Sequence, residues 1–210
     1  MFITFEGPDG SGKTTQARRI AEWLGSLGRN VLAIREPGGT DIGDRVRAIL
    51  MDRANTRLDP RAETLLFCAS RAQMMAEKVR PHLARGGIVI CDRFADSTLA
   101  YQGYGRGLDL GILRVVLDFA TFGVRPDLTL CLDVDPHTGL QRRARDRGGM
   151  NRLDAEPIAF HERVRAGYLA LAAEEPQRWV VIDAGAPPDV IERRLRDVIR
   201  ARLAAPARAE

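Results

Sequence analysis

The fold class predicted from the sequence is a three-layer α/β/α arrangement around a five-stranded, all-parallel sheet of the P-loop type. Three observations predict it. Apolar runs of strand length recur five times along the 210 residues, segments with helical spacing separate them, and a glycine-rich turn follows directly on the first run. The runs are FITFE from Phe2, VLAIR from Val31, IVICD from Ile88, LTLCLDV from Leu128 and WVVID from Trp179. Each is apolar almost throughout, as expected of strands covered on both faces by helices.

The turn after the first strand reads GPDGSGKT, Gly7 to Thr14, which matches G-x-x-x-x-G-K-[ST] without interruption. Gly7, Gly10 and Gly12 allow backbone conformations that point successive N–H groups inward at phosphate oxygens. Pro8, Asp9, Ser11 and Thr15 complete the loop, and the following helix adds its positive end. Lys13 is placed to reach the β and γ phosphates of a nucleoside triphosphate, and the Thr14 hydroxyl to ligate Mg²⁺.

Between the second and third strands, Leu65, Ala69, Ala72, Ala76, Val79 and Leu83 recur at helical spacing, predicting one long helix over Pro60 to Ala84. In open parallel sheets ligands lie at the carboxyl ends of strands, so the residues leaving each strand form one constellation. They are Glu6, then Arg35-Glu36-Pro37-Gly38-Gly39-Thr40, then Asp92-Arg93, then Asp133 and Asp135. Asp92 is placed to hold Mg²⁺ directly or through water, and Arg93 to meet a second phosphate group. Glu36, Asp133 and Asp135 read equally well as groups that orient arginines and as element caps.

The segment from about residue 142 to 154, RRARDRGGMNRLD, is dense in arginine and interrupted by Gly148-Gly149. It reads as a mobile flap over a bound ligand, with an ordinary exposed turn between helices as the alternative. The tail, 204–210, is expected to fray.

A chain of this length with 45% hydrophobic residues builds its own core, so one domain over 1–210 is expected. The three cysteines have no C-x-x-C spacing, and Cys91 and Cys131 sit inside apolar runs as small buried hydrophobes. His82, His137 and His161 are scattered without metal-ligand spacing and read as surface residues. No signal-like segment opens the chain and no apolar run approaches the ~18 residues of a membrane span, so a cytoplasmic protein with no membrane partner is expected. The net charge of +4 comes almost wholly from arginine, Lys13 and Lys78 being the only lysines. Its clustering near the flap, with no aromatic-interleaved groove, argues against a nucleic-acid partner. The absence of [NT]-K-x-D argues against a guanine-nucleotide switch.

The motifs GPDGSGKTT, REPGGT, LLFCASRAQ and DRFADSTLAYQG stand in the order and spacing of bacterial thymidylate kinases, and the chain resembles that family over nearly its whole length. The resemblance implies transfer of the ATP γ-phosphoryl group to dTMP, giving ADP and dTDP, on a P-loop nucleoside monophosphate kinase fold that is usually a homodimer. It also implies residue roles. Phe67 resembles the ring that stacks on thymine, and Arg71, one helical turn on, the donor to a thymine carbonyl. Asp9 resembles the acid at the deoxyribose 3′-hydroxyl and Arg93 the residue that holds the dTMP phosphate. Ser97, Thr98, Tyr101 and Gln102 complete the acceptor pocket beside Arg35 and Pro37, with Tyr101 where a ribose 2′-hydroxyl would project.

Phosphoryl transfer leaves little covalent work to the protein, and an arginine supplied to the transition state is worth ~10³ to 10⁵ in rate. An acid at Asp9 with arginines in the flap resembles the family type whose catalytic arginines come from the lid. The candidate catalytic residues are therefore Lys13 and Arg93 with Arg142 and Arg145, then Arg152. Another deoxynucleotide or deoxynucleoside kinase, or a P-loop ATPase without an acceptor, remains the alternative at this stage.

Overall fold

Five strands form where the apolar runs stand: β1 (Phe2–Glu6), β2 (Val31–Arg35), β3 (Ile88–Asp92), β4 (Leu128–Asp133) and β5 (Trp179–Asp183). They pair in parallel in the order β2-β3-β1-β4-β5. This computed structural model describes residues 1–145 and 149–204. Part of the expected flap, including Arg147, and tail residues 205–210 lie outside the described residues.

The register sets Phe5 beside Asp92, Glu6 beside Cys131, Arg35 beside Asp92 and Asp133 beside Asp183. The polar strand ends therefore share one rim. Alternation along β1 feeds two cores. Ile3 and Phe5 pack with Ile20 and Leu24 of α1 (Lys13–Ser26) and with Ile191, Leu195 and Ile199 of α9 (Pro188–Ala204). Phe2 faces the opposite layer, with Met74 of α3 (Pro60–Met74) and Cys91. The rest of that layer is α2 (Asp41–Met51), α6 (Leu110–Thr121) and α8 (Ile158–Glu174), the last two sharing a core around Leu117, Tyr168 and Leu171.

Strands β1, β3 and β4 are buried on both faces, as the apolar runs predict, but the edge strands are not. Most of β2 is half-buried or exposed, and Val181 of β5 is 45% exposed. A strand with one neighbour cannot be covered as a central one is, although its sequence reads the same.

The expected long helix is continuous but not uniform. After α3 it passes through a π-helical stretch, Met75–Val79, into α4 (Arg80–Ala84). Pro81 explains the change, because its ring removes one N–H and crowds the carbonyl four residues back, which a π turn relieves. The buried side also differs from the stripe expected. Leu65, Ala69 and Ala76 are exposed, whereas Glu63, Thr64, Ser70 and Arg71 are buried. The polar side of α3 faces the interior because it forms part of a site.

The remaining short elements are α5 (Ala95–Thr98), a second π-helical stretch over Leu99–Gly105, and α7 (Pro136–Ala144). Asp135 caps α7 by accepting from the Thr138 N–H at 3.1 Å, and Asp133 takes a bidentate pair from Arg165 at 2.7 and 2.8 Å. Both acids thus serve structure. All three cysteines are buried and free. His82 and His161 are buried, contrary to the surface placement expected, while His137 is exposed. Among the described residues no helix is long and apolar enough to cross a membrane.

Candidate active site

The phosphate loop is pressed between β4 and α7. A side chain on Gly7, at φ 129°, would put Cβ 2.3 Å from the Leu132 carbonyl oxygen, and one on Gly10, at φ 73°, would reach 1.9 Å from that of Gly139. Only glycine fits either position. Helix α1 starts at Lys13, whose ammonium is buried and donates to the Pro8 carbonyl at 2.6 Å and to Ser11 Oγ at 3.2 Å. Burial, then the nearby Arg93 charge, brings its pKa down to about 8. Thr14 Oγ1 donates to Asp92 Oδ2 at 2.5 Å, so the two expected metal-binding oxygens meet.

Across from the loop stands a charged network centred on Arg93. Its backbone is left-handed, φ 69°, a conformation costing a non-glycine residue roughly 1–2 kcal/mol. The guanidinium is held by Asp9 Oδ1 at 2.6 Å, Tyr168 Oη at 2.9 Å, Tyr101 Oη at 3.0 Å, the Gly7 carbonyl at 3.1 Å and Ser97 Oγ at 3.2 Å. Tyr101 also donates to Asp9 Oδ2 at 2.6 Å. Burial pushes the Asp9 carboxyl upward, but the Arg93 and Lys13 charges outweigh it and hold the pKa at about 2.

Behind Arg93, Glu6 accepts from the Phe94 N–H at 2.7 Å, Ser97 Oγ at 2.6 Å and Tyr168 Oη at 3.1 Å. Its carboxyl is pushed up to about 7 by burial and then by Asp96. A second buried pair stands on the α3 wall. Arg71 donates from Nε and Nη2 to Glu36 Oε2 at 2.8 and 2.5 Å, from Nη1 to Thr98 Oγ1 at 3.1 Å and from Nη2 to the Phe94 carbonyl at 3.1 Å.

One cavity of about 330 Å³ joins the loop to these networks. From the loop, Asp9, Gly10, Gly12, Lys13, Thr14 and Thr15 line it. From the rest of the chain come Arg35, Pro37, Phe67, Arg71, Asp92, Arg93, Ser97, Thr98, Tyr101 and Gln102, with Arg142 also on its wall. Its cationic lining (Lys13, Arg35, Arg47, Arg71, Arg93, Arg142 and Arg143) outweighs its carboxylates Asp9, Glu36 and Asp92. A cavity so charged suits polyanions.

The family model described as thymidylate kinase matches residues 5–195. The chain belongs to the thymidylate kinase family. It is 47% identical to the thymidylate kinase of Roseiflexus castenholzii, over 97% of this chain and 94% of that one. It is 52% identical to that of Deinococcus radiodurans, over 91% and 92%. The crystal structure of thymidylate kinase from Ehrlichia chaffeensis superposes with a TM-score of 0.79 at 36% identity, covering 95% of this chain and 98% of that chain. Membership makes the chain an ATP-dependent kinase whose family reaction converts dTMP to dTDP.

Within this thymidylate kinase fold the arginine-rich segment departs from the sequence expectation. Arg142 lines the cavity and donates to the Ala184 carbonyl at 2.9 Å. Its neighbour Arg143, not favoured from sequence, lines the cavity too and donates from Nε to Asp154 at 3.0 Å. Arg145, which was favoured, is exposed and is not among the lining residues. Helix α7 ends at Ala144, so the spacing that placed Arg145 beside Arg142 no longer holds there. Arg152 is also absent from the lining; it is buried and donates to Glu63 at 2.5 Å and to the Leu50 carbonyl at 3.0 Å. Gly7, Pro8 and Ser11 shape the loop from outside the cavity.

Five lining residues escaped the sequence reading as site residues: Arg47, Met51, Arg143, Asn151 and Leu153. Arg47 and Met51 lie on α2, where no motif marks them. Arg47 does follow REPGGT within helical reach, and it donates to the Pro37 carbonyl at 2.9 Å.

Proposed function

We propose that this chain, acting as a single kinase unit, carries the γ-phosphoryl group of ATP in line to the 5′-phosphate of dTMP, the loop holding the donor and the Arg93 side of the cavity the acceptor. The observation that carries this reading is the cavity itself, which runs unbroken from Lys13 and Thr14 to Asp9, Arg93 and Tyr101. Donor and acceptor held in one cationic space need little further alignment.

In this reading Phe67 stacks on thymine and Arg71, kept in place by Glu36, donates to the base edge. Arg93 takes the acceptor phosphate, and Asp9 and Tyr101 meet the sugar. Lys13 follows charge onto the moving phosphoryl group, with Arg142 and Arg143 approaching from the other side. Thr14 and Asp92 offer two hard oxygens in mutual contact, which fits a Mg²⁺ that keeps most of its waters. When bound there, Mg²⁺ would neutralise charge on the β and γ phosphates.

The exposed apolar residues Leu65 of α3 and Ile112, Val115 and Phe119 of α6 support a homodimer that covers this face with a second copy of the chain. Phe119 is 86% exposed, a position a large aromatic seldom keeps in water without a partner. Sedimentation equilibrium measures the assembly directly. We place the enzyme in the cytoplasm, with ATP and dTMP as its partners and no nucleic acid.

The deciding experiment is a coupled ADP-release assay with Mg·ATP, offering dTMP, dUMP, dCMP, dGMP, UMP, thymidine or no acceptor in parallel. Turnover on dTMP well above the others is the expected result. Preference for thymidine or another monophosphate would overturn the acceptor assignment, and acceptor-independent hydrolysis would leave only an ATPase.

A further inference from the structure

A fully buried carboxylate stands behind the acceptor wall, where the reaction itself has no use for one. Glu63 of α3 accepts from Gln102 Nε2 at 2.8 Å, from Arg152 Nη2 at 2.5 Å, and from Arg106 at 3.2 and 3.3 Å. Arg106 reaches on to Glu156 at 2.6 Å and lies over the Phe160 ring at 4.8 Å. Arg152 also donates from Nε to the Leu50 carbonyl at 3.0 Å, at the end of α2. One carboxylate thus ties together α2, α3, the π-helical stretch that bears Gln102, and the chain that returns from the arginine-rich segment.

The residues beside this knot face the cavity. Gln102 is both a partner of Glu63 and a lining residue; Asn151 and Leu153, on either side of Arg152, line the cavity, as does Met51 next to Leu50. Glu63 itself is not in the lining. A buried ion cluster is a weak source of stability compared with an apolar one of the same shape, so its better-attested use is to fix register between elements.

We propose that Glu63 and Arg152 are positioning residues for the acceptor. They hold the wall formed by Met51, Gln102 and Leu153, so Arg152 acts through this clamp and not on the transferring phosphoryl group. The inference rests on the reading of this cavity as the dTMP site.

The test is steady-state kinetics of Arg152→Ala, Arg152→Lys and Glu63→Gln in the full-length enzyme, with dTMP and ATP varied separately. The clamp predicts that KM for dTMP rises about tenfold or more in Arg152→Ala and Glu63→Gln, while KM for ATP and kcat at saturating dTMP stay within about threefold. Arg152→Lys should restore part of the dTMP KM. The combined Glu63→Gln/Arg152→Ala variant should fall well short of the product of the two single effects, because both changes weaken the same Glu63–Arg152 pair.

An arginine acting on the transition state predicts the opposite split, a kcat loss of about 10³ or more with KM for dTMP unchanged, and that result would overturn the proposal. So would wild-type values for both constants. If Arg152→Ala does not fold, Arg152→Lys and Glu63→Gln decide by the same split. Wild-type enzyme failing to prefer dTMP would instead overturn the functional reading, which separates the two failures.

Discussion

The two ends of the cavity are built by different means. At the donor end the backbone does most of the shaping: a glycine loop folded onto β4 and α7, with Lys13 bent back onto the Pro8 carbonyl. At the acceptor end side chains from distant elements are locked pairwise, Asp9 to Arg93, Glu36 to Arg71 and Glu63 to Arg152. A loop made of backbone binds what every nucleoside triphosphate offers, its phosphates. A wall of paired charges can be shaped to one acceptor, and its stability is coupled to its function because removing one member of a buried pair leaves the other without its counter-ion.

The largest expected effect follows from that coupling. In Glu36→Ala the Arg71 guanidinium, 1% exposed, would keep its charge without a carboxylate partner, left with the Thr98 hydroxyl, the Phe94 carbonyl and ring, and Cys68. Leaving a buried charge without its counter-ion costs about 3–5 kcal/mol, so chemical denaturation should show a loss of that size together with a raised KM for dTMP. A loss below about 1 kcal/mol would mean that water reaches Arg71, and the contrast between the two ends would weaken. Lys13→Ala tests the donor end. It should lower kcat about 10²–10³-fold, the usual cost of deleting one transition-state donor, while dTMP binding measured by calorimetry stays nearly constant. A large drop in dTMP affinity would show that the ends are not separable.

The same contrast explains what could be read from the residues in order. The donor end is local, and Gly7 to Thr15 declare it within one loop. The five strands are legible because central parallel strands are apolar on both faces; the edge strands β2 and β5 share that pattern although the fold leaves them partly bare. The acceptor end depends on pairs far apart along the chain. Arg152 and Arg145 are candidates for the same task on the resemblance to a lid-arginine family type and on helical spacing, yet one is clamped by Glu63 and the other lies past the end of α7. Nothing local marks Glu63 as the partner of Arg152, because the two stand 89 residues apart and meet only when the fold brings α3 against the returning chain. The polar inner side of α3 misled for a related reason: periodicity reports an apolar stripe but not whether that stripe faces a core or a partner.

Two carboxylates flanking Arg93 give the next test, because their pKa values move in opposite directions. Glu6, raised from 4.5 to about 7, binds its proton more tightly folded than unfolded. Its contribution to stability is therefore complete below pH 4.5 and is lost as pH rises through about 7. Asp9, lowered from 3.8 to about 2, contributes above pH 3.8, and that contribution is lost as pH falls toward 2. Wild-type denaturation midpoints should fall relative to those of Glu6→Gln between pH 4.5 and 7.5, since the amide cannot titrate. Parallel curves for the two proteins across that range would show that burial and the neighbouring Asp96 do not keep the proton on Glu6 against the donors Ser97 and Phe94.

The smallest expected effect separates neighbours on α7. Arg142 and Arg143 lie on the cavity wall, and Arg145 lies outside it as the capping residue that ends the helix. An exposed side chain with no part in the lining typically changes stability by no more than about 0.5 kcal/mol when truncated. Arg145→Ala should then keep kcat and both KM values within about twofold, whereas Arg143→Ala, which also releases the Asp154 carboxylate, should lower kcat by a factor of about 10² or more. If Arg145→Ala proved the more damaging of the two, the arginine-bearing segment would have to rearrange during turnover, bringing Arg145 to the phosphoryl group. The acceptor end would then be fixed by pairs only on its α3 side, and the paired wall would stop where α7 begins.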